Sequence, residues 1–280
     1  MNIITPKFEI LEQPAGLDGM YKMIELAGRT CYKSEDKITE DSAKGFVDRM
    51  IASGHGAMLE HGTVYLKRYS SKEDNLVWVE KYALSPYSRI SYGDGSTRID
   101  GTLYNTVYIT TNLRVLVENG WTDDLKYICE PTEYHEKRIC VRYTSDIHFY
   151  KDITRHRVFS WAIESTRFCN YIKQKFGSSV SFITPIWLKE EEQEEFEEDL
   201  KTIESIYFKW INKGWQPQQA AYFLIQGTKA EIIMTGFASD YNHFFDLRSE
   251  IAKTGKPHPT VVELVEPLRQ EFIKRGYINE

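Results

Sequence analysis

The chain has 280 residues, enough for one large domain or about two average ones, and long enough to bury a core without a disulfide or metal to hold it. Hydrophobic residues make up 41% and charged residues 27%, the balance of a soluble globular protein, and no apolar run approaches the roughly 18 to 20 residues of a membrane span. With 35 Lys and Arg against 41 Asp and Glu, the net charge of -6 argues against a nucleic-acid binder, whose affinity rests on a basic surface. A local basic pocket for one small anion remains open.

The amino terminus has no basic segment followed by an apolar one, so no secretory signal is expected and the cytoplasm is the expected compartment. Cys31, Cys129, Cys140 and Cys169 form no CxxC pair, which speaks against a zinc ribbon or a thioredoxin-type site. Reduced, mostly buried thiols are expected instead. Rings are abundant, at 14% aromatic residues; they fill cores, and they also suit pockets that stack flat heterocycles.

In chain order, Lys7 to Leu11 reads as a short strand, and Met20, Met23, Ile24 and Ala27 form the apolar stripe of a helix running to about Arg29. A second helix carries Ala43, Phe46, Val47, Met50 and Ile51, with Thr39 as candidate N-cap and Gly54 just past its end. Thr63 to Leu66 and Thr106 to Thr110 read as strands, with Asp94-Gly95 as a turn signal between them. Asn112 to Glu118 reads as a short helix, and Ser145 or Asp146 as the cap of another ending near Arg157. The acidic run from Glu190 is the solvated face of one long helix, because Phe196, Leu200, Ile203, Tyr207 and Trp210 recur at steps of four and three. Helices are expected over Ala220 to Ile225, Phe237 to Ile251 and Pro259 to Arg275. Long helices with a few irregularly spaced strands predict an α+β fold in a single domain, residues 1–280.

Three clusters could carry chemistry. Arg155-His156-Arg157, followed by Ser160, Glu164, Ser165, Thr166, Arg167 and Phe168, offers arginine forks and hydroxyls for an anion; alternatively, its arginines pair with the chain's excess carboxylates. Gly54-His55-Gly56-Ala57 with Glu60-His61 lacks the ligand spacing of HExxH or HxxEH, so no metal is expected. Its glycines suggest a loop that backbone approaches closely; a buried pair of histidines is the alternative. His243 and Arg248 lie five apart, about 140° around a helix, and so address neighbouring spots rather than one. The chain has no GxSxG elbow, Walker A loop or GxGxxG after a strand.

Together and in this order, these segments resemble the flavin-dependent thymidylate synthases. Arg155-His156-Arg157, seven residues and Ser165 match that family's signature, and Glu164-Ser165-Thr166-Arg167-Phe168 its continuation. Ala27-Gly28-Arg29, Gly54-His55 with Leu59-Glu60-His61, and His243-Phe244 with Leu247-Arg248 are similar to three further family segments. The resemblance implies a homotetramer with active sites between subunits that makes dTMP from dUMP with FAD, 5,10-methylenetetrahydrofolate and NADPH.

It also implies residue roles. Arg155, His156 and Arg157 would hold FAD, with His243 of a neighbouring chain, and the loop from His55 to Ala57 would lie near flavin and folate. Glu164, Ser165, Thr166 and Arg167 would bind dUMP, and Phe168 matches an aromatic position of the folate site. Arg248 and Ser165 are the catalytic candidates, Arg248 stabilising charge at N3 and O2 of the pyrimidine so that C5 becomes nucleophilic.

The chain also departs from the family pattern. Ala221 stands where an arginine is common, Ile225 where a proline is, Phe237-Ala238-Ser239 where Asn-Ala-Arg is, and Asp152 where a glutamine is frequent. Lys173, Lys175 and Lys229 are the candidate replacements for the lost positive charge. The stretch from about 67 to 142 is longer than the matching connection in short members and is expected as an insertion. These departures keep open a related deoxyuridylate hydroxymethylase, or a flavin- and nucleotide-binding relative without catalysis.

Overall fold

The computed structural model describes residues 1–165, 171 and 179–279. Its centre is a four-stranded antiparallel sheet in the order β2 (Lys7–Leu11), β6 (Arg138–Asp146), β9 (Lys229–Phe237) and β7 (Ser160–Ile163). Successive side chains in a strand face opposite ways, and both faces of this sheet are covered. Ile139, Val141, Tyr143, Ile232 and Met234 pack with α6 (Ile147–Ile153), α9 (Asp240–Arg248) and α10 (Pro259–Lys274). Cys140, Ala162 and Ile233 pack with Met23 and Ala27 of α1 (Gly16–Tyr32) and with Met58 of α3 (Gly56–Leu59).

Double coverage explains why β6 and β9 escape the sequence reading. A strand buried on both faces loses the apolar-polar alternation that marks a strand. Phe237 therefore ends β9 instead of opening a helix. The following helix, α9, stops at Arg248, short of Ile251, where Ser249 Oγ bonds back to Phe245 O at 2.7 Å.

The stretch from 67 to 142 builds a second antiparallel sheet, β3 (Thr63–Ser71), β5 (Thr102–Asn112) and β4 (Arg89–Ile99). Helix α4 (Lys72–Ala83) packs on it, followed in sequence by α5 (Leu113–Glu118). Its core is continuous with Met20 and Ile24 of α1 and with Phe46 and Val47 of α2 (Ser42–Ala52). The β4–β5 hairpin turns at Asp100-Gly101, with φ of 47° and 81°, a pair of left-handed residues that fits a two-residue hairpin turn. Asp94-Gly95, the turn expected from sequence, instead lies inside β4 where the register shifts between Tyr92 and Ser96.

A third layer joins β1 (Asn2–Ile4) in parallel to β8 (Ser181–Ile183), with α7 (Gln193–Asn212) and α8 (Pro217–Ala220) against them. Leu200 and Tyr207 are buried and Phe196, Ile203 and Trp210 pack beside them, as the steps of four and three require. The helix expected over Ala220 to Ile225 is instead the end of α8 and one 3-10 turn, Ala221–Phe223. Thr39 does not cap α2: the helix begins at Ser42, whose Oγ accepts the Thr39 N–H at 2.9 Å. Of the three described cysteines, all free, Cys140 is buried while Cys31 and Cys129 are partly exposed; Cys169 lies outside the described residues. Among the described residues no helix is long and apolar enough to cross a membrane.

Candidate functional site

Helix α6 starts where Asp146 Oδ1 accepts the Phe149 N–H at 2.7 Å, an N-cap of the expected kind. Past its end the chain turns through residues 154–158 before β7. The Arg-His-Arg segment occupies that turn, anchored by Phe159, which is 4% exposed and stacks edge-on against Tyr241 at 4.7 Å. His156 is buried against the Phe244 ring, 5.0 Å between centroids.

Arg248, the last residue of α9, reaches this turn. Its Nε–H donates to His156 Nε2 at 3.1 Å and its Nη2 to the Asp152 carbonyl at 3.0 Å, while Nη1 stands 3.6 Å from the Asp152 carboxylate. A guanidinium only donates, so His156 Nε2 accepts and the neutral ring carries its proton on Nδ1. Burial first, then the charges of Arg248 and His243, push the His156 pKa down to about 4. Of the five N–H donors of the guanidinium, two make hydrogen bonds within the chain, and Nη1 faces the Asp152 carboxylate at ion-pair distance only.

His243 is exposed, its ring 6.0 Å from that of His156. The helical angle alone had separated His243 from Arg248. The structure brings both to one spot because His156 rises between them and the long arginine reaches across. Arg155 and Arg157 are exposed, and neither has a carboxylate at ion-pair distance among the described residues, contrary to the alternative that they pair with the chain's excess acids.

A second group sits on the other face of the sheet. Ser165 N–H donates to Cys31 O at 3.1 Å, tying the end of β7 to the end of α1. Beside it, Glu164 has a side chain 2% exposed, and its Oε2 accepts from Lys229 Nζ at 2.8 Å and from the Glu231 N–H at 3.0 Å. Lys33 is 3.7 Å from Glu164 and 3.0 Å from Glu231, and Lys229 is 3.0 Å from Glu231. Burial favours a protonated Glu231, but Lys229 and Lys33 outweigh it and hold the carboxyl at about 2. Lys229 is therefore engaged by two carboxylates. These four residues line a cavity of ≈ 620 Å³ with Tyr171 and Ser179. Thr166, Arg167, Phe168, Lys173 and Lys175 lie outside the described residues.

His55 and Ala57 are exposed at the start of the four-residue α3, whose Met58 Sδ is 3.9 Å from Cys31 Sγ. His61 is wholly buried, with Nδ1 2.8 Å from Thr235 Oγ1, so the pair is split: one histidine is open and one is packed. Arg29 is locked by Glu25, 2.8 Å from both Nε and Nη2. Cys31 has its thiol pushed up to about 11 by burial, and no metal-binding cluster occurs among the described residues. Within one chain, then, the predicted residues form two groups on opposite faces of the sheet: Arg155, His156, Arg157, His243 and Arg248 on one, His55, Ala57, Glu164 and Ser165 on the other.

Residues 130–259 match the family model described as thymidylate synthase complementing protein. Arg155 to Ser165 and His243 to Arg248 lie inside the segment that matches the thymidylate synthase complementing family; His55 and Ala57 precede it. Among solved structures, the chain is similar to a UMP/dUMP methylase, PolB, from Streptomyces cacaoi bound with 5-Br dUMP, at 14% identity and TM-score 0.45, covering 98% of this chain and 93% of that one. The same enzyme bound with 5-Br UMP gives 12% identity and TM-score 0.44, covering 98% and 92%. No match is found among curated proteins.

The departures from the pattern of the thymidylate synthase complementing family have structural settings. Ser239 donates to Glu136 from both its N–H and its hydroxyl. Phe237 is buried beneath Arg89, 4.2 Å from its ring, and Ala221 lies partly exposed in the 3-10 turn. Asp152, notable in the sequence only as a missing glutamine, is the partner of Arg248. Lys33 and Glu231 carried no signal at all, since the cluster they form with Glu164 exists only once β9 lies beside β7.

Proposed function

We propose that the protein acts on dUMP, transferring a one-carbon unit to C5 and reducing it to give dTMP, with FAD as cofactor and 5,10-methylenetetrahydrofolate and NADPH as co-substrates. The observation that carries this reading is Arg248: His156 and Asp152 orient its guanidinium and leave N–H donors unused, beside two exposed arginines that lack acid partners among the described residues. Fixed donors aimed at a developing negative charge contribute about 100- to 1000-fold in rate. Here they would meet the pyrimidine N3 and O2, and the charge they stabilise makes C5 nucleophilic. His156, neutral and accepting from Nε, holds the guanidinium plane without adding a competing positive charge.

Arg155 and Arg157 fit the diphosphate of FAD, since each presents an exposed fork without a carboxylate partner. Bound flavin supplies hydride chemistry, while the chain binds and orients. Ser165, Thr166, Arg167 and Glu164 are proposed to take the nucleotide, with His55, Ala57 and Phe168 on the flavin and folate side. The two groups of residues lie on opposite faces of one subunit's sheet, and the proposed site is completed by residues of a second chain, as in a homotetramer with sites between subunits.

The substitutions at Ala221 and Ser239 favour one second product. In this alternative the final hydride transfer is omitted and hydroxymethyl-dUMP is released. Anaerobic incubation of the purified protein with FAD, dUMP, methylenetetrahydrofolate and NADPH, followed by mass analysis of the nucleotide, separates the two. A methyl adduct supports the synthase, and a hydroxymethyl adduct replaces it. An unmodified nucleotide with flavin bound leaves a binding protein.

A further inference from the structure

Arg138 opens β6 where the chain returns from the second sheet to the central one, beside Thr63, where it left. Its Nη1 donates to Glu60 O at 2.9 Å and lies 3.4 Å from Thr63 Oγ1, so it closes the neck between the two sheets. The rest of the guanidinium is not matched. Its Nε is sealed from solvent with no partner, and no carboxylate reaches ion-pair distance among the described residues. The groups packed on it are the Phe237 ring at 5.6 Å and Tyr65, whose hydroxyl accepts the Arg138 backbone N–H at 3.4 Å, while the Glu60 carboxylate acts on it only from beyond ion-pair distance.

Next to it is a cavity of ≈ 170 Å³, lined by Arg138, Thr63, Tyr65, Cys140, Lys137 and the buried His61. Nδ1 of His61 is occupied by Thr235, and its Nε2 has no hydrogen-bond partner. Glu12 at the rim is already engaged by Arg275 at 2.9 Å. A guanidinium does not lose its proton, and a charge withdrawn from water without a counter-ion is costly. A cation with no carboxylate at ion-pair distance, an imidazole nitrogen without a hydrogen-bond partner and an adjoining void call for the same thing: a small anion with several acceptor oxygens.

We propose that this neck cavity binds a small inorganic oxyanion of phosphate size, held by the Arg138 guanidinium with His61 as a neutral donor. In that arrangement Nε2 carries the imidazole proton and Nδ1 accepts from the Thr235 hydroxyl. The anion fastens the strand that leaves the core at Thr63 to the strand that re-enters at Arg138, so its binding joins the two sheets. The site is independent of the nucleotide reaction and stands whether or not dUMP is the substrate.

The test is thermal melting of the full chain in increasing inorganic phosphate, with chloride keeping the ionic strength constant. Wild type is expected to show a saturable rise in melting temperature, retained in R248A and in dUMP-saturated protein, and lost in R138Q. Absence of a saturable rise in wild type, or its persistence in R138Q, overturns the proposal. So does loss in R248A or under dUMP, which would place the phosphate at the nucleotide site. Should R138Q not fold, R138K decides: it keeps the charge but loses the fork, so half-saturation is expected at about tenfold higher phosphate, and an unchanged value overturns the site.

Discussion

Asp152 grips Arg248 twice, through its backbone carbonyl at 3.0 Å and its carboxylate at 3.6 Å. The carbonyl bond survives any side-chain change, so the two grips can be separated. Asp152→Asn removes only the charge. Turnover is expected to fall by about tenfold, the order of one charge-assisted contact, while KM for the anionic nucleotide stays level or drops because a repelling carboxylate is gone. Arg248→Ala removes the donors themselves and should cost about 100- to 1000-fold in kcat. Equal kcat for Asp152→Asn and wild type would show that the carboxylate plays no part in holding the guanidinium.

His156 gives a pH signature. Its pKa is lowered from the usual 6.5 to about 4, so below 6.5 the unfolded chain takes up a proton that the folded chain refuses. Stability is therefore greatest above pH 6.5, declines as pH falls towards 4, and the loss from this group is complete below that. The shift corresponds to about 3 kcal/mol. His61, lowered to about 3 by burial, acts in the same direction over a wider range. Glu231, held at about 2, loses its contribution only as pH falls below the ordinary 4.5, so it is silent in the window from 6.5 to 4.5, where Asp146, Asp240 and Glu263, raised by burial, oppose the histidines and comparison with a His156 variant is needed to read its share. Urea unfolding across that window should show a shallower slope for His156→Gln, whose amide oxygen still accepts from Arg248.

Much of this site was legible in the chain because it is written in local order. Arg155, His156 and Arg157 share one turn because they are adjacent in the chain, whereas Ser165, at the far end of β7, comes to lie on the other face of the sheet. The helices were legible where one face meets solvent, as in α7, whose apolar steps show through an acidic run. What escaped was whatever depends on long-range pairing. Strand β9 lies in the middle of the sheet and has no alternation to read. The Glu164 cluster, made by Lys33, Lys229 and Glu231, cannot be seen before that strand is in place. Asp152 and Arg248 are 96 residues apart, and nothing in either segment announces the other.

That cluster makes a stability prediction. Lys229 Nζ is 2.8 Å from Glu164, whose side chain is 2% exposed. Lys229→Met leaves the buried carboxylate with Lys33 at 3.7 Å, and breaking such a pair costs on the order of 3 kcal/mol. Adding Glu164→Gln removes the stranded charge and should recover part of the loss. Chemical denaturation of the two single variants and the double variant measures this coupling; additive losses would mean that Lys229 and Glu164 do not act as a pair.

Gly236 tests how closely the sheet supports the Arg-His-Arg turn. A Cβ there would lie 2.2 Å from Phe159 Cδ1 and 2.5 Å from Cε1, far inside contact distance. The constraint is space rather than backbone conformation, since β9 continues regularly through this residue opposite Ile139. Phe159 cannot swing aside freely, because Tyr241 at 4.7 Å and Phe244 at 5.8 Å enclose its ring. Overpacking of this kind costs about 1 to 3 kcal/mol. The displaced ring also bears on the turn, where the Phe159 N–H donates to His156 O at 3.3 Å. Gly236→Ala should therefore lower the melting temperature and kcat together. Pairing it with Phe159→Leu, which frees volume at the same spot, should restore more stability than the sum of the single variants allows. Strict additivity in that double variant would place the damage in the strand rather than under the turn.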